Sequence, residues 1–136
     1  MDPRAVLALC HEHAEAESVL DIDRVLATLV PHPKFEYLTV GKCLEGWTTI
    51  ETFYREQYPR FVTGVVGYQL LGEWANDGAA IQEYTIAVRH DGRTSTSHVV
   101  SIMPVDDETG LVTGERLYCH EGFVRALLGP LFDSPT

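Results

Sequence analysis

The sequence predicts an α+β fold in which N-terminal helices close the concave side of a curved, mainly antiparallel sheet. Two observations carry that prediction. Apolar residues recur at helical spacing as far as residue 61, and from Val62 onward they alternate with period two. Turn signals then divide the second half into long strands, and helices followed by a strand meander make an α+β architecture rather than alternating βαβ units.

The first helix opens at Asp2, an N-cap, with Pro3 at the first helical position. Val6, Leu7, Cys10 and Ala14 form its apolar stripe, whereas His11, Glu12, Glu15 and Glu17 are read as mostly outward. Asp21 caps a second short helix carrying Val25, Leu26 and Leu29, which Pro31 and Pro33 stop. A short strand is expected over 35–40 and a loop over 41–46. Thr48 and Glu51 have the spacing of a capping box for a third helix, whose face is Ile50, Phe53, Tyr54 and Tyr58 and whose end is Pro59.

Strands are expected over 65–74, 80–89, 94–105 and 111–120. Asn76-Asp77-Gly78 and His90-Asp91-Gly92 are hairpin turns, because Asp-Gly supplies the positive φ a tight turn needs. A longer turn follows Asp106, and residues 123–128 form a last helical turn broken at Gly129-Pro130. The 136 residues read as one domain over 1–136, long enough for a core of its own.

Composition narrows the function. Net charge is −10, with Asp+Glu at 20 and Lys+Arg at 10, and the basic residues are scattered. No cationic stripe exists to neutralise phosphates, so neither nucleic acid nor an anionic membrane surface is expected as a partner. Cys10, Cys43 and Cys119 are odd in number and lack CxxC spacing, so reduced thiols and a cytoplasmic location are expected. The N-terminal apolar run is too short for a signal segment, so none is expected, and no apolar run reaches membrane-spanning length. Motif spacing offers no metal set: His11 and His13 fall on different helix faces, and Cys119, His120 and Glu121 alternate sides of a strand. HExxH, a glycine-rich phosphate loop and GxSxG are all missing. No metal and no cofactor is expected.

Several local motifs, in order, resemble those of the SnoaL-like and ketosteroid-isomerase-like (nuclear-transport-factor-2-like) superfamily across nearly the whole chain. They are Leu20-Asp21-Ile22-Asp23, Gly46-Trp47-Thr48-Thr49-Ile50, Asp91-Gly92-Arg93, the closing stretch from Gly114 to His120, and Ala126-Leu127-Leu128-Gly129. The resemblance implies a cystatin-like cone, a blind pocket for an apolar small molecule, and a homodimer through the outer sheet face, where His98 and Val100 lie. It does not fix the function, because such folds host many unrelated ones. The steroid-isomerase positions carry His13, Tyr37 and about Ser101 in place of that family's tyrosine and two aspartates, so that mechanism is rejected. Tyr84-Thr85-Ile86 lacks the charged pair of limonene-type epoxide hydrolases. The strand-end aspartate used by SnoaL-like cyclases corresponds to His120.

His120 is therefore the expected base, since imidazole titrates near neutrality. His13 or Tyr37 is expected to steady a developing oxyanion. Tyr84, Ser101, Tyr118, Trp47, Ile86 and Val99 are expected to line the pocket, with Tyr118 in phase with His120 on one strand face. The bland alternatives stand beside these: a strand-end His120 bonded to solvent, a surface His13, and tyrosines that belong to the core or to a dimer interface. The expected activity is cofactor-independent isomerisation, cyclisation or dehydration of an apolar carbonyl or polyketide-like compound. A non-catalytic binding protein or an association domain is the alternative.

Overall fold

A computed structural model of the chain describes residues 1–134. Helix α1 spans Pro3–Ser18 and α2 spans Ile22–Ala27. Both start as the sequence predicts: the Asp2 carboxylate accepts from the Arg4 N–H, and that of Asp21 accepts from the Arg24 N–H. The strand after α2 is longer than expected. β1 covers Leu29–Tyr37 and takes in both prolines, and β2, Lys42–Glu45, occupies the expected loop. Pro31 is exposed near the strand's start, where a missing N–H costs no ladder bond.

The third helical region also differs. α3, Trp47–Thr52, is capped by Gly46 without a side-chain bond, so the Thr48–Glu51 capping box does not form. A π-helical stretch, Phe53–Gln57, joins it to α4, Tyr58–Thr63. Pro59 does not end the helix, because it falls in the first turn of α4, a position that tolerates a missing N–H.

β3 (Val65–Ala75), β4 (Ala79–His90), β5 (Arg93–Pro104) and β6 (Val112–Tyr118) follow as the period-two pattern predicts. The sheet order is β2-β1-β6-β5-β4-β3. Every pair is antiparallel except β1 with β6, which places Phe35 opposite Glu115 and Tyr37 opposite Leu117. That pairing closes tightly at Gly114, whose φ is +153 and where any Cβ would collide with the Lys34 carbonyl oxygen. Glu115 is thus held against β1 by a backbone approach only glycine permits.

α5 (Glu121–Leu128) and a short 3-10 turn (Gly129–Asp133) complete the fold. The main core runs from Leu26 and Leu29 through Ile50, Phe53 and Phe61 to Val112, Val124 and Leu128, all buried. The architecture is the α+β arrangement of a curved, unclosed six-stranded sheet covered by N-terminal helices. Among the described residues no helix is long and apolar enough to cross a membrane.

Candidate functional site

A cavity of about 570 Å³ lies between the helices and the sheet. This is within the range of small-molecule sites. Its wall is rich in aromatic residues, with Phe35, Tyr37, Tyr54, Tyr58, Tyr84 and Phe123 among the lining residues. Besides the tyrosines, Glu15, Glu17, Ser18, Gln82, Ser101 and Glu115 are its polar members, and the wall contains neither Lys nor Arg.

One turn of α1 places His13 and Glu17 on the same face. His13 is fully buried, and its Nε2 lies 3.3 Å from Glu17 Oε2. The π-helical stretch brings in Tyr54, whose hydroxyl donates to Glu17 Oε2 at 2.7 Å and lies 3.2 Å from His13 Nε2. The other ring nitrogen, Nδ1, is 2.7 Å from Thr28 Oγ1. Thr28 gives its single hydroxyl proton to the Val25 carbonyl at 2.6 Å, so toward His13 it can only accept. The proton on that contact therefore sits on Nδ1, and Nε2 faces Glu17 and Tyr54.

Glu115 enters from β6, its Oε1 accepting from Ser101 Oγ at 2.8 Å. Burial, with the nearby Glu17 charge, pushes its carboxyl up to about 7; His13 and the Ser101 bond pull the other way without cancelling that effect. Burial alone would push His13 down. The charge and hydrogen bond of Glu17, joined by Glu115, outweigh it and raise the imidazole above its ordinary value. Two carboxyls and an imidazole thus meet with unlike environments, the pattern that separates acid from base roles. Burial also holds the Tyr37, Tyr54, Tyr58 and Tyr84 hydroxyls well above the ordinary tyrosine range, so all four remain donors.

Ligating atoms of His13, Glu17 and Glu115 lie within 4.8 Å of one another. Local motif spacing gave no such set; the fold assembles it from α1 and β6. A divalent ion could bridge that spacing. Each of the three side chains nevertheless already has a protein partner: Thr28 for His13, Tyr54 for Glu17 and Ser101 for Glu115.

Tyr37, Tyr84, Ile86 and Ser101 line the cavity. His13 does not reach it but stands directly behind Glu17. Val99 is buried in the core rather than on the wall. Trp47, 37% exposed, and Tyr118, 39% exposed, lie away from the cavity.

His120 requires correction. It is the exposed N-cap residue of α5, and its carbonyl accepts from Phe123 and Val124. β6 ends at Tyr118, so strand alternation cannot be carried on to His120. Glu115 and Leu117 hold the inward phase, which turns Arg116 and Tyr118 outward. Glu115, Glu17, Tyr54 and Thr28 join the site without being among the residues the sequence singles out. The i,i+4 pair His13/Glu17 and the shared parity of Glu115 with apolar Leu117 were the signals available.

Among solved structures the chain is similar to an NTF2-like protein of unknown function from Cytophaga hutchinsonii. Identity is 14%, covering 85% of this chain and 99% of that one, at a TM-score of 0.67. Bal32a, from a soil-derived mobile gene cassette, is 10% identical over 94% of this chain and 98% of its own, at 0.74. A protein from Shewanella denitrificans described as a SnoaL-like polyketide cyclase is 12% identical over 91% and 96%, at 0.69. No family model and no curated protein matches the chain. The chain therefore has the NTF2-like, SnoaL-like cone fold, as its sequence motifs imply.

Proposed function

We propose that this chain is a cofactor-independent proton-transfer enzyme acting on an apolar carbonyl compound. One observation carries the reading: the Glu115 carboxyl, enclosed by an aromatic cavity and pushed up to about 7. A group poised there exchanges its proton most effectively at neutral pH. In the reaction, Glu115 as carboxylate takes a proton from the carbon beside the carbonyl, the C–H electron pair moves into an enolate, and the carbonyl oxygen gains the charge. Return of that proton to another carbon completes an isomerisation; alternatively, attack of the enolate carbon on a second carbonyl forms the ring bond and an alkoxide, which takes the proton back from Glu115 to complete a cyclisation. Glu17, held by Tyr54 and backed by His13, supplies the fixed charge that keeps Glu115 from ionising early.

Deuterium uptake tests this. Apolar ketones incubated with the protein in D₂O gain deuterium beside the carbonyl, and Glu115→Gln suppresses the gain. Binding of ketones without any exchange supports a non-catalytic binding protein instead.

A homodimer through the outer face of the sheet is proposed as well. Trp74 on the edge strand β3 pairs with Ile81, in the same outward phase as His98 and Val100, and is an exposed apolar side chain that favours it. Light scattering at micromolar concentration should give twice the chain mass, and a monomer there would contradict it.

A further inference from the structure

Tyr37 is 1% exposed, lines the cavity, and carries the one buried side-chain polar atom without a hydrogen-bond partner among the described residues. The other polar groups of the cluster are paired: Glu17 with Tyr54, Glu115 with Ser101, His13 with Thr28. A buried hydroxyl left unpaired is costly, whereas a phenylalanine of the same shape avoids the cost. The Tyr37 ring packs at the β1–β6 pairing, opposite Leu117, so shape alone gives no reason for the hydroxyl.

Charge sets the second constraint. The lining holds three carboxyl side chains, Glu15, Glu17 and Glu115, and no basic one. A ligand bearing a carboxylate or phosphate would bring its charge beside Glu17 and Glu115 with no Arg or Lys to pair it, and a buried unpaired anion is strongly disfavoured. The aromatic wall suits flat rings, which stack against it or meet it edge-on.

We infer that Tyr37 is the recognition donor of the cavity and that it selects an uncharged, ring-bearing molecule presenting a carbonyl oxygen. The inference rests on the proton-transfer reading for the fate of that carbonyl, but not for its binding. The Tyr37 O–H donates to the oxygen, an arrangement that would also receive the charge of an enolate. An analogue lacking the oxygen leaves the hydroxyl unpaired, and a site built around a hydrogen bond rejects such analogues.

Three probes of nearly equal shape decide the matter: methyl naphthyl ketone, ethylnaphthalene and naphthoate. Their affinities are measured by calorimetry or ligand-observed NMR at pH 8, where Glu115 is largely ionised. The wild-type protein is expected to bind the ketone roughly tenfold more tightly than the hydrocarbon, and naphthoate weakest of the three. Tyr37→Phe should bind ketone and hydrocarbon equally, keep its affinity for the hydrocarbon, and melt no lower than wild type. Glu115→Gln should retain the ketone preference even though it suppresses deuterium exchange, which separates this proposal from the proton-transfer reading. Equal wild-type affinity for ketone and hydrocarbon would overturn the inference, as would a preference that survives Tyr37→Phe or tightest binding of naphthoate. A preference lost in Glu115→Gln and kept in Tyr37→Phe would place recognition at Glu115 and likewise overturn it.

Discussion

Replacing Glu115 by Gln should change how stability depends on pH. The carboxyl is raised from 4.5 to about 7 in the folded chain. Between those values the folded protein keeps a proton that the unfolded chain has released, so it binds more protons and its stability falls as pH rises through that window. His13 acts with the same sign. Its raised value adds stability below the ordinary histidine range, which is lost as pH climbs through the folded value. A carboxyl displaced from 4.5 to about 7 corresponds to roughly 3 kcal/mol. Part of that belongs to its coupling with Glu17 and His13, so about 1–3 kcal/mol is expected for Glu115 itself. Glutamine keeps an oxygen for the Ser101 hydroxyl and carries no charge to bury. Urea denaturation at intervals from pH 5 to pH 8 would show the wild type losing stability and Glu115→Gln losing less, with the variant the more stable at pH 8. A melting difference of roughly 3–10 °C at pH 8 corresponds to that range. Equal slopes for the two proteins, or wild-type stability that rises across the window, would refute the reasoning.

Other expectations follow from the same geometry. Thr28→Val removes the acceptor at His13 Nδ1, whereas Thr28→Ser keeps it; nitrogen NMR of the imidazole should show the Nδ1-protonated form in wild type and the Ser variant and its loss in the Val variant. An unchanged imidazole in Thr28→Val would show that some other contact sets the ring.

Most of the fold was legible because the long strands have both a period and punctuation. Alternation over β4 and β5 and the Asp91-Gly92 turn between them leave little freedom in register. The helical entry at Asp2-Pro3 was equally local. The failures were places where tertiary pairing overrode a local rule. β1 runs through two prolines because β6 and β2 pair with it, and the Thr48–Glu51 box is displaced by a glycine cap. The site was less legible because its members come from separate elements. Of the two residues picked out by the resemblance, Tyr37 lines the cavity, whereas His13 stands behind its wall. Glu115 was hidden by a parity argument anchored on His120, which lies beyond the end of the strand. Glu17 was read as outward from its charge, although its i,i+4 spacing to His13 turns it inward. A half-buried carboxyl facing an apolar cavity is a departure from pattern, and such departures gather at functional sites.

The central claim is that Glu115 moves protons on a bound carbonyl compound, and isotope exchange addresses it most directly. A panel of apolar ketones in D₂O near pH 7, read by mass spectrometry, should show deuterium entering beside the carbonyl of those that bind. The rate should fall roughly a hundred- to ten-thousand-fold in Glu115→Gln, the loss typical of a removed general acid or base. Ketones that bind without exchanging, or that exchange as fast in Glu115→Gln as in wild type, would contradict the account.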